Sequence, residues 1–480
     1  MPVRLAALAC AVAVCLAAPP AAAQPPTTSG RDDASLPLAL DRNADPRIVE
    51  IDLEARVSDV EIAPGERYPL WTYNGGLPGP LLRARLGDRL IVHFTNHLPE
   101  PTTVHWHGVR VPLAMDGVPE ISQPAVAPGA TFTYDFIVPD AGLFWYHPHV
   151  MSAAQVGFGL YGALLVDDPA DGVGVADERV LVLSDLAIDA EGRLEPADSG
   201  GPAGMVFGRE GDRVLVNGRR QPLLRARRGA PQRWRIVNAA KSRYFDLDLD
   251  GESFVQIGGD GGLQESPTTS RELVIAPGER VDVVVAPTGD GSARLVLRSL
   301  LFNRGYGSVE YREAQDLLTL EFDDQPALPP VPPPTMHRVI EPLSAEGATP
   351  VQVVLTLQQR GDSDFDYGIN GVPFPNRPIA ARPGETQLWT VVNKTKWSHP
   401  LHLHGFFFQV LDASGQPVRP LAWKDTVDVP FEQTVRLLVR FDDRAGLWMY
   451  HCHILDHADG GLMGTVAVGV PATVPSAHVH

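Results

Sequence analysis

Three stretches of the chain repeat one another, and that repetition limits the fold more than any other feature. Pro80-Leu81-Leu82-Arg83-Ala84-Arg85 leads through a short apolar run to Asn96, and Pro222-Leu223-Leu224-Arg225-Ala226-Arg227 leads likewise to Asn238. Pro378-Ile379-Ala380-Ala381-Arg382 leads to Asn393. The copies lie about 140 to 155 residues apart, the size of one compact domain each. Runs such as residues 89–94, 280–285 and 435–441 are short, β-branched and bounded by Gly, Pro or Asp, as strands are. No long helical period competes with them, and 45 Gly and 45 Pro among 480 residues suit a chain with many turns. The expected fold is all-β, three β-sandwiches in series.

Further echoes divide the chain. Ile62-Ala63-Pro64-Gly65-Glu66-Arg67 recurs as Ile275-Ala276-Pro277-Gly278-Glu279-Arg280. Ala141-Gly142-Leu143-Phe144-Trp145-Tyr146-His147-Pro148-His149 is echoed by Ala445-Gly446-Leu447-Trp448-Met449-Tyr450-His451-Cys452-His453. The first and third copies share that histidine-bearing strand and the middle copy lacks it. We expect domains over residues 47–170, 171–325 and 336–470. A loose lead-in covers 24–46, a stiff Pro-rich linker 326–335 and a flexible tail 471–480.

Residues 1–23 read as a secretory signal: Arg4 gives the positive start, residues 5–18 the apolar run, and Ala21-Ala22-Ala23 the small-residue cleavage site before Gln24. No Arg-Arg pair precedes the run, so Sec export to the periplasm or the medium is expected. No stretch qualifies as a membrane span. Removing that segment takes away Cys10 and Cys15 and leaves Cys452 alone, so no internal disulfide can form. With 40 Lys and Arg against 58 Asp and Glu, the net charge of −18 argues against nucleic acid as a partner.

Ten of the fifteen histidines fall into four groups. These are His105-Trp106-His107-Gly108, His147-Pro148-His149, His399-Pro400-Leu401-His402-Leu403-His404-Gly405, and His451-Cys452-His453 followed by His457. Residues two apart in a strand face the same side, so each His-x-His pair offers two imidazoles to one point. One such pair alone is more often structural or a zinc site, but four at duplicated positions are not chance. His399, Cys452 and His457 form the His₂Cys set of blue-copper centres. Cys452 points away from His451 and His453, so one short strand serves two metal sites. The remaining eight imidazoles suffice for about three metal ions with open positions for a small ligand. First and third domains are therefore expected to meet at that cluster.

With these motifs in hand, the sequence resembles the three-domain bacterial multicopper oxidases, the laccase-like family, over essentially all of the chain after the export segment. Tyr73-Asn74-Gly75-Gly76-Leu77-Pro78-Gly79-Pro80 and Val216-Asn217-Gly218 match as well. The resemblance implies cupredoxin-like Greek-key domains and four copper ions. It implies type 1 copper at His399, Cys452 and His457, and type 2 at His105 and His402. The type 3 pair would take His107, His147, His149, His404, His451 and His453. It also implies one-electron oxidations at type 1, relayed through Cys452 and its two histidine neighbours, with dioxygen reduced to water at the other three ions.

The chain departs from the family pattern in places. The fifth residue after the type 1 histidine, often Met, is Leu462, with Met463 one further on. In that register type 1 copper lacks a thioether and its potential rises; a local bulge would instead restore Met463. Asp116, eleven residues after His105, stands where the family carries an acid serving the cluster, or is a turn residue before Gly117. Ala458 replaces the Glu that some members carry after the type 1 histidine. Asp456 or Asp459 would substitute for it, or be surface charge. No Met-rich insertion is visible, which counts against a dedicated cuprous oxidase. His93, His97 and His337 read as solvated or core positions, and His478 and His480 as part of a flexible tail.

The leading expectation is a laccase-like oxidase, active as a monomer, with dioxygen as acceptor and phenols or aromatic amines as donors. The alternative is a metallo-oxidase taking electrons from Cu(I) or Fe(II) in copper tolerance, mildly favoured by the acidic surface. A copper-storage protein would not need two kinds of site, and a copper-free relative would have lost the histidines. Residues 199–211 and the loop 360–367 are the candidates for lining the type 1 pocket.

Overall fold

The computed structural model describes residues 34–305, 313–329, 332, 334–335, 338–361 and 365–475. The expected export segment, His337, His478 and His480 lie outside them, as do parts of the lead-in, linker, tail and 360–367 loop. Strands dominate the described residues. The helices α1 (Ser152–Gly157), α2 (Gly201–Phe207) and α3 (Leu455–Asp459) have at most seven residues each. No helix among the described residues is long and apolar enough to cross a membrane.

The strands form six sheets, two from each third of the chain. In the first third, Ile48–Ala63 lies between Glu66–Tyr73 and Arg89–Asn96, faced by a sheet that holds His105–His107 and Gly142–His147. The second third has six- and five-stranded sheets, and the last has two of five. Alternation explains the layers. Arg89–Asn96 and Thr386–Asn393 bury every second side chain, as strands with one face on a core must.

The repeated segments occupy one structural position. Leu82–Arg85, Leu223–Ala226 and Ile379–Ala381 are edge strands, each paired in parallel with the last strand of its own third. The asparagines that close the repeats do one job as well. The side-chain amide of Asn96 donates to the carbonyls of Glu100 and Val126 while its oxygen accepts from Leu98 N–H. Asn238 holds Arg243, Ile275 and Ala240 in the same manner. Asn393 holds Trp397, Val429 and Thr395. Three buried amides thus satisfy three turns that would otherwise leave carbonyls unpaired inside the protein.

The lead-in is less loose than expected where it is described. Leu81 N–H donates to Pro37 O at 2.8 Å and Ala39 N–H to Leu81 O at 2.9 Å, adding a short strand-like contact to the first sandwich. Gly142–His147 is buried along its whole length, whereas a strand with one free face would alternate. Its outer side packs against other thirds of the chain: Leu143 and Trp145 share an apolar cluster with Leu186, Leu215 and Leu455.

Candidate metal centres

Backbone register brings the histidine pairs together. His105 lies opposite His147 in one antiparallel pair, and His402 opposite His451 in another. The two sheets face each other, so imidazoles from the first and third sandwiches interleave: His105 stacks on His404 at 3.9 Å and His107 on His402 at 3.7 Å between centroids. His149 and His453 follow the strand ends and close the cluster, with His149 5.2 Å from His451 and His107 4.8 Å from His453. All eight rings are buried.

Most of their inner nitrogens have no hydrogen-bond partner. His105, His147 and His402 turn Nδ1 outward, donating to the carbonyls of Asp116, Pro148 and Asp425 at 2.7, 2.9 and 3.0 Å, and leave Nε2 buried and unbonded. His107 is reversed: Nε2 approaches Thr426 Oγ1 at 3.3 Å and Nδ1 is the unbonded atom. Both nitrogens of His149 and of His453 lack a partner, and Nε2 of His404 and His451 face each other at 3.1 Å. Native interiors rarely leave so many buried polar atoms unpaired. Burial, reinforced by neighbouring imidazoles, keeps His107, His147, His149, His451 and His453 well below the ordinary imidazole range, and His404 down to about 3. Neutral rings with converging lone pairs fit bound cations, and copper suits imidazole donors.

A second centre sits on the other face of the same strand. Nδ1 of His399 and Nδ1 of His457 lie 3.4 and 3.6 Å from Cys452 Sγ and 3.0 Å from each other, all fully buried. Their outer nitrogens are fixed: His399 Nε2 meets Thr395 Oγ1 at 2.7 Å, and His457 Nε2 meets Val206 O at 3.1 Å. Burial pushes the Cys452 thiol above its ordinary range and His399 down to about 3, so a metal ion is what would hold the sulfur as thiolate here. Ile454 N–H also points at the sulfur, at 3.4 Å. The two centres are joined directly, since His451 Nδ1–H donates to the carbonyl of Cys452 at 2.9 Å.

Leu462 and Met463 take opposite sides. Met463 pairs with His451 in the strand register, and paired residues share a face. It packs with Met449, Val118 and Ala458, while Leu462 belongs to the core cluster that contains Cys452.

The candidate acids separate as well. Asp116 is buried, with Oδ2 2.9 Å from His404 Nδ1; burial would push its carboxyl up, but the His404 and His105 imidazoles hold it below the ordinary range. Asp456 is neither free nor on the surface. Its carboxylate accepts from Arg209 N–H at 2.7 Å and Ser242 Oγ at 3.2 Å and pairs with the Arg209 guanidinium, tying α3 to the segment that carries α2. Asp459, half-buried, accepts from Ala153 N–H at 2.8 Å at the start of α1, four residues after His149, and burial pushes it up to about 7. Of the remaining histidines, His93 binds Glu50 at 2.8 Å and His97 is exposed.

Three features were not read from the sequence. Arg280, fully buried, bonds to Leu143 O at 3.1 Å, to Asp260 O at 3.0 Å and to both carboxylate oxygens of Asp425, and so touches all three thirds of the chain. Asp425 in turn lies 3.3 Å from His107 Nε2 and carries the carbonyl that fixes His402. Gly278, in the left-handed region, sits against the cluster: a Cβ there would meet His453 at 2.9 Å and His107 at 3.1 Å. Among the described residues, the middle sandwich adds no histidine or cysteine to either group but closes both, through Gly278 and Arg280 on one and Val206 on the other. A Lys-Asp-Thr interruption at residues 424–426 in an apolar stretch was the one signal available for Asp425.

The chain is similar to known proteins over most of its length. Three sequence profiles of the multicopper oxidase family match the chain, over residues 54–171, 177–294 and 347–472. Multicopper oxidase MmcO of Mycobacterium tuberculosis is 30% identical over 92% of either chain, and a laccase of Bacillus subtilis is 27% identical over 84% of this chain and 90% of its own. Among solved structures, a Campylobacter jejuni multicopper oxidase described as a metallo-oxidase superposes with a TM-score of 0.81, at 30% identity, over 90% of this chain and 94% of that one.

Proposed function

This chain belongs to the multicopper oxidase family, and on that footing we propose that it draws single electrons from phenols and aromatic amines and passes them to dioxygen, reducing it to water. Copper bound at the two centres would cycle between cupric and cuprous states, taking electrons singly and delivering four to one dioxygen molecule. In this reading the ions number four. His399, Cys452 and His457 hold type 1, His105 and His402 hold type 2, and His107, His147, His149, His404, His451 and His453 hold the type 3 pair.

The observation that carries the proposal is Cys452: its sulfur faces one group of imidazoles while its carbonyl holds a histidine of the other. The chain's remaining residues orient and protect. Carbonyls of Asp116, Pro148, Asp425 and Cys452 fix ring tautomers so that the inner nitrogens keep their lone pairs. Burial of every ligand excludes bulk water from the cluster. In this reading the acids that would hand protons inward are Asp116, bonded to His404, and Asp459, bonded to Ala153 N–H four residues after His149. Leu462, in the apolar cluster that contains Cys452, has no donor atom to offer, so copper held by His399, Cys452 and His457 would lack a thioether there and have a raised potential, which would suit oxidation of phenols.

Donor class is supported by where cations could sit. Among the described residues, every close cluster of three or more His, Cys, Asp and Glu side chains is buried in the two centres, so no cluster of that kind marks a surface site for a cuprous or ferrous donor. A metallo-oxidase is the second reading, favoured by the Campylobacter jejuni relative described in those words. The proposal includes export, supported by the pattern of residues 1–23, and action as a monomer. Oxygen uptake by the copper-loaded protein separates the donors, with autoxidation subtracted. A higher kcat/KM for a methoxyphenol than for Cu(I) or Fe(II) is the expected result, and dominance of a metal ion overturns the donor assignment.

A further inference from the structure

Neither imidazole of the His399, Cys452 and His457 centre can be touched from outside. Thr395 closes the outer edge of His399, and Val206 O closes that of His457. Thr395 and Val206 are themselves buried. Electrons must therefore cross at least one further residue.

Aromatic side chains supply that crossing. The ring of Tyr367 lies 4.4 Å from that of His457 and 5.7 Å from that of His399. Tyr367 is fully buried, and its hydroxyl donates to Val206 O at 2.6 Å and accepts from the indole N–H of Trp397 at 2.5 Å. Trp397 is half-buried and lies 5.2 Å from the ring of Phe207, tilted by 55°. Phe207, at the end of α2, is 42% exposed. An unbroken series of contacts thus runs from the surface through indole and phenol to a ligand of the centre.

We propose that Phe207 and Trp397 form the docking platform for a planar aromatic donor, and that Trp397 and Tyr367 carry its electron to His457. The inference rests on the reading that the protein oxidises phenols, and it assigns where they bind. Offset and edge-on ring contacts favour an aromatic partner on such a platform. Among the described residues, no cluster of three or more His, Cys, Asp and Glu side chains lies there. One electron and one proton leave the phenolic O–H. The electron would cross Trp397 and Tyr367 to His457, where bound copper would take it up in passing from the cupric to the cuprous state, while the proton passes to bulk water and the phenoxyl radical diffuses away. The two rings act as a bridge and end each transfer unchanged.

Two measurements on the copper-loaded protein test this. The first keeps the enzyme fully reduced and anaerobic, so that a methoxyphenol binds without reacting, and follows the indole signals of its eight tryptophans, with Trp397 assigned by its loss in Trp397→Phe. A saturable shift of the Trp397 signal is expected, weakened about tenfold in Phe207→Ala. The second follows loss of the blue absorption when oxidised enzyme meets the same phenol without oxygen. Trp397→Leu should slow it about tenfold, with the resting blue absorption and the potential unchanged, and Tyr367→Phe, which also removes the hydroxyl 3.3 Å from His457 Nε2, should slow it several-fold. Phe207→Ala should raise the phenol concentration needed and keep the limiting rate, and as an exposed position it serves if Trp397→Leu does not fold. Wild-type reduction rates in Trp397→Leu and Tyr367→Phe, or no shift at Trp397 under saturating phenol, overturn the inference. Failure of the parent reading shows instead in the wild type, as reduction by Fe(II) or Cu(I) but by no phenol.

Discussion

Arg280 and Asp425 meet as a buried bidentate pair, a guanidinium from the middle sandwich on a carboxylate that also touches His107. Breaking one side of such a pair leaves an uncompensated charge in the interior, at a cost of about 3–5 kcal/mol. Arg280→Met and Asp425→Asn should each lower the unfolding free energy of the copper-loaded protein, measured by urea titration, by that order. The double variant should cost less than their sum by more than about 1 kcal/mol. Additive losses would show that the two side chains act separately.

Leu462→Met places a thioether beside the Cys452 sulfur and should lower the type 1 potential. Each tenfold gain in cupric over cuprous affinity corresponds to about 59 mV, and a fall of at least that size is expected in a redox titration. Met463→Leu, on the His451 face, should leave the potential where it is. The reverse pattern would assign the axial position to Met463.

Asp116→Asn keeps the side-chain shape and the backbone carbonyl that holds His105, and removes the carboxylate on His404. Turnover with any donor should fall by about 10²-fold or more, while anaerobic reduction of the blue centre proceeds at its normal rate. Equal slowing of both half-reactions would make Asp116 a structural residue only.

Protons and copper compete for the same nitrogens. His399 and His404 sit at about 3 in the folded chain against an ordinary 6.5. Between those values the unfolded chain binds more protons, so folded stability rises with pH and is lost as pH falls from about 6.5 towards 3. Copper-free protein should therefore show a thermal midpoint that drops steadily over that window. Copper-loaded protein should hold its midpoint until the metal is released. A flat profile for the copper-free chain would mean that these rings are not neutral by burial.

Much of this was legible because it is local and periodic. The repeated segments and their closing asparagines announced three sandwiches, and alternation along single strands separated Cys452 from His451 and His453. The same alternation sorts Leu462 from Met463 once their strand partner is known, which the sequence does not state. Arg280, Asp425, Gly278 and Trp397 were missed for one physical reason. Each acts through a contact between segments far apart in the chain, and no spacing rule reports such contacts. Asp456, read as an acid or surface charge, is held by Arg209 from another third of the chain, which only the packing reveals.

The most direct test of the two-centre account is a single turnover. Fully reduced, copper-loaded enzyme is mixed with one equivalent of dioxygen while the blue absorption and any peroxide are followed together. The account predicts that four electrons leave the protein per dioxygen, the blue absorption returns in full and no peroxide appears, and that Cys452→Ser never shows the blue absorption. Release of peroxide with two electrons per dioxygen, or an unchanged result in Cys452→Ser, would contradict it.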